Sequence, residues 1–475
     1  MVYDLLGRMI QRVEPEYTST WTYDKYADGT ARSKGIGKLC EASTGAAGFD
    51  RAFAYDKYGR PASTRTTITN GPSFASAVAY NNTNGRVTSQ TYPTGLTVNY
   101  TYTTGSRGFL EKVTLGTAAT VNPLPATPGG AAGPSVPLAA GTVLWQSLAV
   151  NAAGQVEQSK TSNNVTSTSA FDPATGRINA LTAGIGSATT VLNDTYTWDS
   201  LGNLSQRTDT NGDGSSGAVQ ETFVYDGLNR LVDDTVNAPA IAGYLRKSTL
   251  QYNALGNLLY KSDVGVYSYA ASGNVNGVSN VRPHALASVS AASGTSYSYD
   301  ANGNLISASA GSYRTLSYTS FNLPDSNTGI AGPSGTPTYR WNYDSEHQRI
   351  KETRTITGGT DAGTRVTWMM HPDNAGGLGF ESETTTPTNG AATTMNRHYL
   401  NAGGVSIGVL VSSGALPVLS AGVDATPPTL SSITLVKVEY WHKDHLGSIV
   451  ATTDHTGAVT ARYAFDAFEI GRAHV

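Results

Sequence analysis

Aromatic residues set the hydrophobic pattern of this chain, because they recur in pairs with one residue between them. Examples are Trp21 and Tyr23, Phe53 and Tyr55, Tyr196 and Trp198, Phe223 and Tyr225, Tyr297 and Tyr299, and Trp341 and Tyr343. A spacing of two places both rings on one face of a β-strand. No segment carries a 3.6-residue hydrophobic period long enough to predict a helix. The pattern therefore predicts an all-β protein.

Most pairs run into a short phrase: an aromatic residue, Asp or Asn, two or three spacers, Gly, and then Arg or Asn. The clear copies are Tyr3-Asp4-Leu5-Leu6-Gly7-Arg8, Tyr55-Asp56-Lys57-Tyr58-Gly59-Arg60, Trp198-Asp199-Ser200-Leu201-Gly202-Asn203 and Tyr299-Asp300-Ala301-Asn302-Gly303-Asn304. Looser copies begin at Tyr80, Phe171, Tyr225, Tyr252, Tyr269 and Tyr343. The Asp side chain can accept hydrogen bonds from backbone N–H groups two residues on, and Gly supplies a positive φ. The phrase therefore predicts a hairpin turn.

The copies recur at a period that is regular only in the middle of the chain. Trp198 to Tyr225 is 27 residues, Tyr225 to Tyr252 is 27 again, and elsewhere the period ranges from 17 to 30. Repetition of one supersecondary unit predicts stacked hairpins. Because the period drifts, we expect one curved, continuous antiparallel sheet rather than a rigid solenoid.

These phrases resemble the YD repeats of the RHS family, which includes wall-associated contact toxins, C components of insecticidal toxin complexes, and the teneurins. The C-terminal stretch extends the resemblance, since it is similar to the RHS-associated core signature. That stretch reads Tyr440-Trp441-His442-Lys443-Asp444-His445-Leu446-Gly447-Ser448, then Thr453-Asp454-His455-Thr456-Gly457, then Arg462-Tyr463-Ala464-Phe465-Asp466-Ala467-Phe468. The resemblance implies a sheet that spirals into a hollow shell, here incomplete.

The same resemblance implies a function and partners. The wall is expected to be non-catalytic and to enclose the protein's own C-terminal toxin domain. A secretion-system component is a further expected partner, and the expected location is secreted or on the bacterial cell surface. Aromatic residues beside Asn and Asp could instead stack on sugars, so the alternative is a cell-surface adhesin that binds carbohydrate or a neighbouring cell.

The chain divides into repeats, two inserted loops and a C-terminal signature. We predict two repeat arrays (1–114 and 143–411), Pro-containing loops (115–142 and 412–432), the core signature (433–468) and a terminal heptapeptide (469–475). The family pattern has Gly after Phe468, whereas Glu469 to Val475 matches one reading frame of a common sequencing adapter. We interpret 469–475 as adapter-derived and expect the native protein to extend beyond both ends.

Composition narrows the function classes. Charged residues make up 14% of the chain and the net charge is −3, which disfavours a nucleic-acid surface and a polybasic membrane patch. There is no 18-residue apolar run, so no membrane span is predicted. With Cys40 as the one cysteine, an intramolecular disulfide is impossible and a cysteine-based metal site is disfavoured.

Candidate chemistry is sparse, and no catalytic residue or cofactor site is predicted. The repeated Asp residues are expected to cap turns, and the repeated Arg residues to pair across strands. His442 and Asp444 would share a strand face while His445 lies on the other, which is poor geometry for one metal ion. Asp209, Asn211 and Asp213 resemble half of a calcium loop, but position 12 is Gln220, so a polar hairpin loop is the preferred interpretation.

Overall fold

The computed structural model confirms the all-β class. It describes residues 1–30, 34–104, 108–125, 132–212, 217–238, 244–269, 283–290, 294–309, 313–370, 378–419, 426–467 and 471–472. Within these residues the chain forms 39 β-strands and one 3-10 turn, Gly45–Ala47, and no α-helix occurs among them. Among the described residues, no helix has the length and apolar character needed to span a membrane.

The strands follow one another with short connections. The first thirteen are β1 (Val2–Tyr3), β2 (Met9–Val13), β3 (Thr18–Tyr23), β4 (Leu39–Ser43), β5 (Phe49–Tyr55), β6 (Pro61–Ile68), β7 (Ser73–Tyr80), β8 (Val87–Thr91), β9 (Thr97–Tyr102), β10 (Leu110–Leu115), β11 (Ala118–Val121), β12 (Val136–Leu138) and β13 (Val143–Val150). The next thirteen are β14 (Val156–Thr161), β15 (Val165–Phe171), β16 (Ile178–Ile185), β17 (Leu192–Trp198), β18 (Leu204–Asp209), β19 (Val219–Tyr225), β20 (Leu231–Ala238), β21 (Tyr244–Tyr252), β22 (Leu258–Lys261), β23 (Gly265–Ser268), β24 (Ser288–Val289), β25 (Thr295–Tyr299) and β26 (Leu305–Ala308).

The remaining strands belong to the C-terminal third. They are β27 (Tyr313–Tyr318), β28 (Pro324–Gly329), β29 (Thr336–Tyr343), β30 (Arg349–Thr357), β31 (Gly363–Met370), β32 (Phe380–Pro387), β33 (Thr393–Ala402), β34 (Val405–Ser413), β35 (Ser432–Lys443), β36 (Ile449–Asp454), β37 (Val459–Arg462), β38 (Ala464–Phe465) and β39 (Gly471–Arg472).

Two large sheets account for nearly all of these strands. The first sheet has 24 strands, β1 to β10 and β13 to β26, each antiparallel to the next one in it. The second has 13 strands, β27 to β37 together with β11 and β12. Strand β26 lies beside β27, so the second sheet continues the path of the first. The predicted succession of antiparallel hairpins is therefore confirmed.

The stretch 115–142, predicted as an inserted loop, contains two short strands. Strand β11 pairs in parallel with the start of β35, from Ala118 opposite Ser432 to Val121 opposite Leu435. This contact carries a segment of the early chain into the second sheet. The predicted domain boundaries themselves stay a prediction. The other predicted loop, 412–432, overlaps the end of β34 and the first residue of β35, and its described residues between these strands belong to no strand.

The hydrophobic core lies between the two sheets. The first sheet contributes Phe74, Leu96, Leu115 and Leu144, and the second contributes Phe380, Leu400, Leu410 and Leu435, all nearly or completely buried. The rings of Phe74 and Phe380 meet edge to face, with centroids 6.2 Å apart. A smaller cluster buries Val165 and Tyr196 of the first sheet against Ala451 of β36. Burial of each such side chain contributes about 1.5–3 kcal/mol, so the core holds one sheet against the other.

Because consecutive strands are antiparallel neighbours, alternate turns fall on opposite edges of each sheet. One edge carries the turns that follow the aromatic-Asp phrases, and we name it the YD edge. The opposite edge carries turns such as 14–17, 92–96 and 161–164, and we name it the return edge. The return edge of the first sheet contacts the second sheet along much of its length. This line of contact is called the seam below.

Candidate structural site: the YD turns and the seam

The turn at Asp56 shows how one YD phrase folds. The Asp56 N–H donates to the carbonyl of Arg60 at 2.9 Å, and the Gly59 N–H donates to the carbonyl of Asp56 at 2.9 Å. Asp56 Oδ1 accepts from the N–H groups of Tyr58 and Arg60, and Oδ2 accepts from Arg60 Nε at 2.7 Å. Gly59 has φ +75°, where a side chain would be strained. Asp and Gly therefore have the turn-forming roles that the sequence predicts.

On the open YD edge, hydrogen-bond partners lower the pKa of the capping Asp. Hydrogen bonds from the Arg230 side chain and backbone lower the pKa of Asp226 below its usual value. The Asn203 side chain, followed by its backbone N–H, lowers the pKa of Asp199 despite partial desolvation. A hydrogen-bonded carboxylate caps the turn more strongly than a protonated acid, because charge-assisted bonds are the stronger ones.

The basic residue that ends each phrase reaches forward to the next YD turn. Arg60 Nη1 donates to the carbonyl of Asn81 at 3.2 Å, and its guanidinium lies over the ring of Tyr80. Arg230 repeats this with Asn253 at 3.1 Å and with the Tyr252 ring. Because β6 pairs with β7 and β20 pairs with β21, the ring contacts join neighbouring strands, as expected for these arginines, and the carbonyl contacts add a link along the YD edge.

The aromatic residue of most phrases reaches backward. The hydroxyl of Tyr80 donates to the carbonyl of Pro61 at 2.8 Å, in the strand that follows the preceding YD turn. Others do the same: Tyr55 to Leu39, Trp198 to Ile178, Tyr225 to Leu204, Tyr252 to Leu231, Tyr299 to Leu286, Tyr318 to Leu305 and Tyr343 to Pro324. Repeats such as those at Asp56 and Asp226 are therefore joined to their neighbours in both directions, which explains why the phrase pairs an aromatic residue with Arg or Asn.

Three YD turns place a residue other than Gly in the left-handed position three residues after the capping residue. They are Asn229, Asn322 and His347, with φ of 59°, 62° and 60°. The turn at Thr319 was not recognised in the sequence, because Thr319 stands where Asp is expected and Asn322 where Gly is expected. Tyr318 and Asn322 together were the available signal, since Asn tolerates this conformation better than other residues with side chains.

The core signature Asp444 to Ser448 folds as one more YD turn. Asp444 Oδ1 accepts from the N–H groups of Leu446 and Ser448, each at 2.9 Å, and Gly447 has φ +93°. The Tyr299-Asp300-Gly303 phrase forms the same turn, with Gly303 N–H donating to the Asp300 carbonyl. The core signature is therefore built like the repeats.

The histidines of the core signature make separate contacts. His442 Nε2 lies 3.0 Å from Thr453 Oγ1 in a buried position, and burial lowers the pKa of His442 to about 4. The ring of His445 instead packs against Tyr196 and Trp198 of β17. The two imidazole rings therefore contact different neighbours, Thr453 for His442 and the aromatic rings of β17 for His445.

The closing residues of the signature also contact the first sheet. Arg462 donates to the carbonyls of Thr190 and Val191, at 2.6 and 3.0 Å. Buried Asp466 lies 3.9 Å from Nζ of Lys261 on β22. The Tyr463 N–H instead donates to the Val450 carbonyl within the second sheet. The signature therefore fastens the end of the second sheet onto the first.

At the other end of the seam, the Asp344 turn docks on β2, β3 and β5. Asp344 is completely buried and lies 3.4 Å from Arg51, which is buried as well. Tyr17 donates to the Asp344 carbonyl at 3.0 Å, and Trp21 Nε1 donates to Glu346 at 2.6 Å. Burial lowers the pKa of Arg51, and Asp344 and then Glu346 oppose that effect. The seam is thus held by paired buried charge as well as apolar packing.

His347 lies in the same junction in its left-handed conformation. Its ring stacks on Phe321 at 3.8 Å, and Nε2 lies 2.6 Å from Arg12 Nη2 and 2.9 Å from Glu14. These contacts hold a backbone conformation that costs on the order of 1–2 kcal/mol for a residue with a side chain.

One buried acid beside the core signature is unusual. Asp194 on β17 accepts a hydrogen bond from Tyr196 at 2.9 Å through Oδ2, while Oδ1 has no hydrogen-bond partner among the described residues. Burial and then the charge of Asp209 raise the pKa of Asp194 to about 7, and Asp444 adds to the shift. The hydrogen bond from Tyr196 and then the charge of Arg207 lower the pKa of Asp194, but burial outweighs both.

The calcium candidate stays a prediction. Asp209 Oδ1 accepts from the N–H groups of Asn211 and Gly212, and the Asn211 amide donates to Thr189. The third candidate ligand, Asp213, lies outside the described residues, as does most of the phrase that begins at Tyr269. No group of three or more His, Cys, Asp or Glu side chains is placed to bind a metal within the described part of the chain.

A concave apolar surface lies on the face of the second sheet that points away from the core. Val409, Val411 and Val436 form its floor, Tyr399 and Trp441 flank it, and Leu124 lies at its rim. Its cavity is about 720 Å³. Trp441 Nε1 donates to Glu439, and Tyr399 donates to Glu381, so both aromatic side chains are oriented by carboxylates.

The chain consists of antiparallel hairpins whose neighbouring turns are linked along the YD edge. The second sheet packs against the return edge of the first along the seam. These features define a repeat protein of the β-shell class. Solved structures of this class match nearly the whole chain. The crystal structure of TcdB2-TccC3-TEV aligns with a TM-score of 0.65 at 13% identity over 99% of this chain. The Photorhabdus luminescens Tc holotoxin pore with the mutation TccC3-D651A matches equally, at 0.65, 13% and 99%.

The chain therefore has the fold of the RHS/YD-repeat shell, as its phrases indicate. It spans about a quarter of the chains that it matches, 24% and 23% of the two just named. A third structure, TcdB2-TccC3 without its hypervariable C-terminal region, aligns with a TM-score of 0.61. No family model matches the sequence, and no curated protein sequence matches it either.

Proposed function

We propose that this chain is a section of the wall of a hollow β-shell that encloses a polypeptide cargo, the toxin domain of the same protein, for delivery to another cell. The role is structural and non-catalytic. The wall separates the cargo from the producing cell and from proteases, and secretion places the loaded shell outside that cell.

The continuous hairpin path carries this proposal. Twenty-four strands pair in chain order to form one sheet, with β11 and β12 set apart in the second sheet, and the path then returns so that the second sheet lies along the seam. A wall needs such lateral continuity, because a gap between strands would expose unpaired backbone groups and admit solvent. One matched structure is a Tc holotoxin pore, and another is TcdB2-TccC3 without its hypervariable C-terminal region. That support is by likeness of fold.

The test starts with the gene sequence beyond the codon for Phe468. We expect an in-frame continuation that completes the shell and adds an unrelated C-terminal domain. In the purified whole protein, that domain should resist a protease that rapidly digests the same domain expressed alone. Equal digestion rates in the two forms would contradict enclosure.

The concave surface at Tyr399 and Trp441 favours a second candidate, a carbohydrate-binding adhesin. Aromatic faces next to carboxylates are suited to stacking and hydrogen bonding with sugar rings. Glycan-array binding that is lost in Trp441→Ala and kept in Trp341→Ala, an aromatic on β29, would favour the adhesin. Absence of any array signal would leave the wall as the better account.

A further inference from the structure

One face of the second sheet brings two arginines side by side. Arg354 on β30 is directly opposite Arg365 on β31, so the two side chains rise from the same face with Cβ atoms about 5 Å apart. Like charges in directly opposite positions destabilise a sheet. Nearby carboxylates or a bound anion would offset this repulsion.

The carboxylates on this face have closer partners than Arg365. Trp341 Nε1 donates to Glu352 at 2.9 Å, and Arg397 Nη1 donates to Glu383 at 3.3 Å. Arg365 lies 3.8 Å from each of these two carboxylates, which is beyond hydrogen-bond distance. The two acids therefore offset part of the charge of Arg365 without using its hydrogen-bond donors.

Arg354 is the less neutralised of the two arginines. Its guanidinium lies 5.8 Å from the centroid of the Tyr339 ring, and among the described residues no carboxylate is placed to pair with it. The Nε atoms of Arg354 and Arg365 are both buried, and neither has a hydrogen-bond partner within the described part of the chain. A buried N–H group without a partner is unfavourable. Uncompensated positive charge and unused donors therefore coincide at one place, and an anion between the two side chains would satisfy both.

We propose that Arg354 and Arg365 together bind one doubly charged tetrahedral oxyanion, a phosphate or sulfate group. Two planar guanidinium forks offer more N–H donors than the two oxygens of one carboxylate can accept in bidentate pairs, whereas phosphate and sulfate have oxygens for both forks. The two negative charges of such a group balance the two arginines. The Arg365 side chain is 36% exposed, so the group reaches the site from solvent, either as a free ion or on a polymer. The site does not depend on any enclosed cargo.

The first experiment is calorimetric titration of the 475-residue chain with inorganic phosphate and with sulfate, at an ionic strength held constant with chloride. We expect both ions to bind, and Arg354→Gln and Arg365→Gln each to weaken binding by about tenfold or more, since each removes one charged fork. The matched control is Arg340→Gln. Arg340 is 70% exposed and opposite Thr353, so it lies on the other face of the sheet, and its loss should leave binding unchanged.

The source of the oxyanion is distinguished by a third titrant. Dextran sulfate is compared with free sulfate at equal concentrations of sulfate groups, with unsulfated dextran as the blank. Tighter binding of dextran sulfate that is lost in Arg354→Gln indicates a group carried on a polymer. Equal affinity for the two forms indicates a free ion.

A second measurement tests the site through stability. Sulfate stabilises folded chains in general because it is excluded from protein surfaces, so the informative quantity is the difference between variants. At constant ionic strength, sulfate should raise the urea midpoint of the parent and of Arg340→Gln more than that of Arg354→Gln. Arginines with a purely structural role would change the midpoint equally with and without sulfate. Such equality, absence of binding by the parent, or parent-like binding by both Arg354→Gln and Arg365→Gln would each overturn the proposal.

Discussion

The turns at Asp56 and Asp344 have the same hydrogen bonds but different surroundings. In both, the backbone N–H of the Asp donates four residues ahead, and Oδ1 accepts from N–H groups two and four residues ahead. Asp56 lies on the open YD edge and pairs with the Arg of its own turn. Asp344 lies in the seam, has no exposed surface, and pairs with Arg51 from the other sheet.

The YD turn therefore affects stability differently in the two places. On the open edge, water and salt screen the Asp–Arg pair, and the turn matters mainly for hairpin geometry. In the seam, the same carboxylate neutralises a buried guanidinium that has been removed from water. A substitution at the Asp therefore probes turn formation in one place and sheet-to-sheet packing in the other.

The largest effect should come from Asp344→Ala. It removes the turn cap and leaves Arg51 buried without its carboxylate, which we expect to cost about 3–5 kcal/mol of unfolding free energy. Asp56→Ala, the matched change on the open edge, should destabilise the protein much less, because water and salt screen its ion pair. Urea denaturation of both variants, followed by circular dichroism, measures the difference. Equal losses would show that the seam adds nothing to the motif.

The second effect concerns pH near the other buried YD turn, at Asp444. The pKa of Asp194, raised to about 7, means that folded Asp194 keeps its proton where the unfolded chain has lost it. Its contribution is complete below the ordinary pKa of Asp and is lost as the pH rises toward 7. Asp209 has a raised pKa for the same first reason, burial, and acts in the same direction.

We therefore expect the contribution of Asp194 to stability to fall by about 2–3 kcal/mol between pH 5 and pH 8, and Asp194→Asn to remove that contribution. Buried His442 and His398, with pKa values lowered to about 4, act in the opposite direction below the ordinary pKa of His in both the parent and the variant, so the difference between the two chains is the quantity to compare. Asp199→Asn is the control, because the lowered pKa of this exposed acid confines its effect to more acidic pH. Urea midpoints at both pH values provide the readout. A slope that Asp194→Asn leaves intact would place the titrating group elsewhere.

The sequence predicted those parts of the site that depend on a few adjacent residues. The Asp cap and the Gly in the left-handed region follow from short-range geometry, so Asp56 and Gly59 were recognisable without a structure. The forward reach of Arg230 to Asn253 was not, because it depends on which hairpin lies next to which. Likewise, Asp344 and Asp56 look alike in sequence, and only the path of the sheet distinguishes a buried turn from an open one.

The overall fold was predictable for a related reason. Repetition of one hairpin phrase fixes a meander, and the drift in its period indicates curvature. The two strands within 115–142 were not foreseen, because β11 pairs with β35, more than 300 residues away. Pro and Gly in that stretch suggested a loop, and the distant partner overrides that local preference.

The third effect separates backbone conformation from packing within two successive open turns. Gly256 has φ +86° and Gly227 has no positive φ, and a Cβ atom built on either meets nothing within 4 Å. We expect Gly256→Ala to cost about 1–2 kcal/mol, since only the backbone strain changes. Gly227→Ala should be neutral or stabilising by up to about 1 kcal/mol, because it restricts the unfolded chain. Thermal and urea unfolding of the pair test this, and equal effects would contradict the role assigned to the left-handed position.

The smallest effect should come from the link between neighbouring open turns. Arg230→Lys keeps the charge but loses the planar fork that bonds Asp226 through Nε and Nη2 and Asn253 through Nη1. We expect a loss of about 0.5–1 kcal/mol, since the pair is partly exposed and screened. The matched control is Lys247→Arg, at a cation that pairs with Asp233 on the neighbouring strand. Hydrogen exchange gives the sharper readout: Arg230→Lys should speed exchange of the Asn253 and Gly256 amides in the next turn. If only the Asp226 turn responds, the arginine serves its own hairpin, and the open edge is a row of separate turns rather than a linked one.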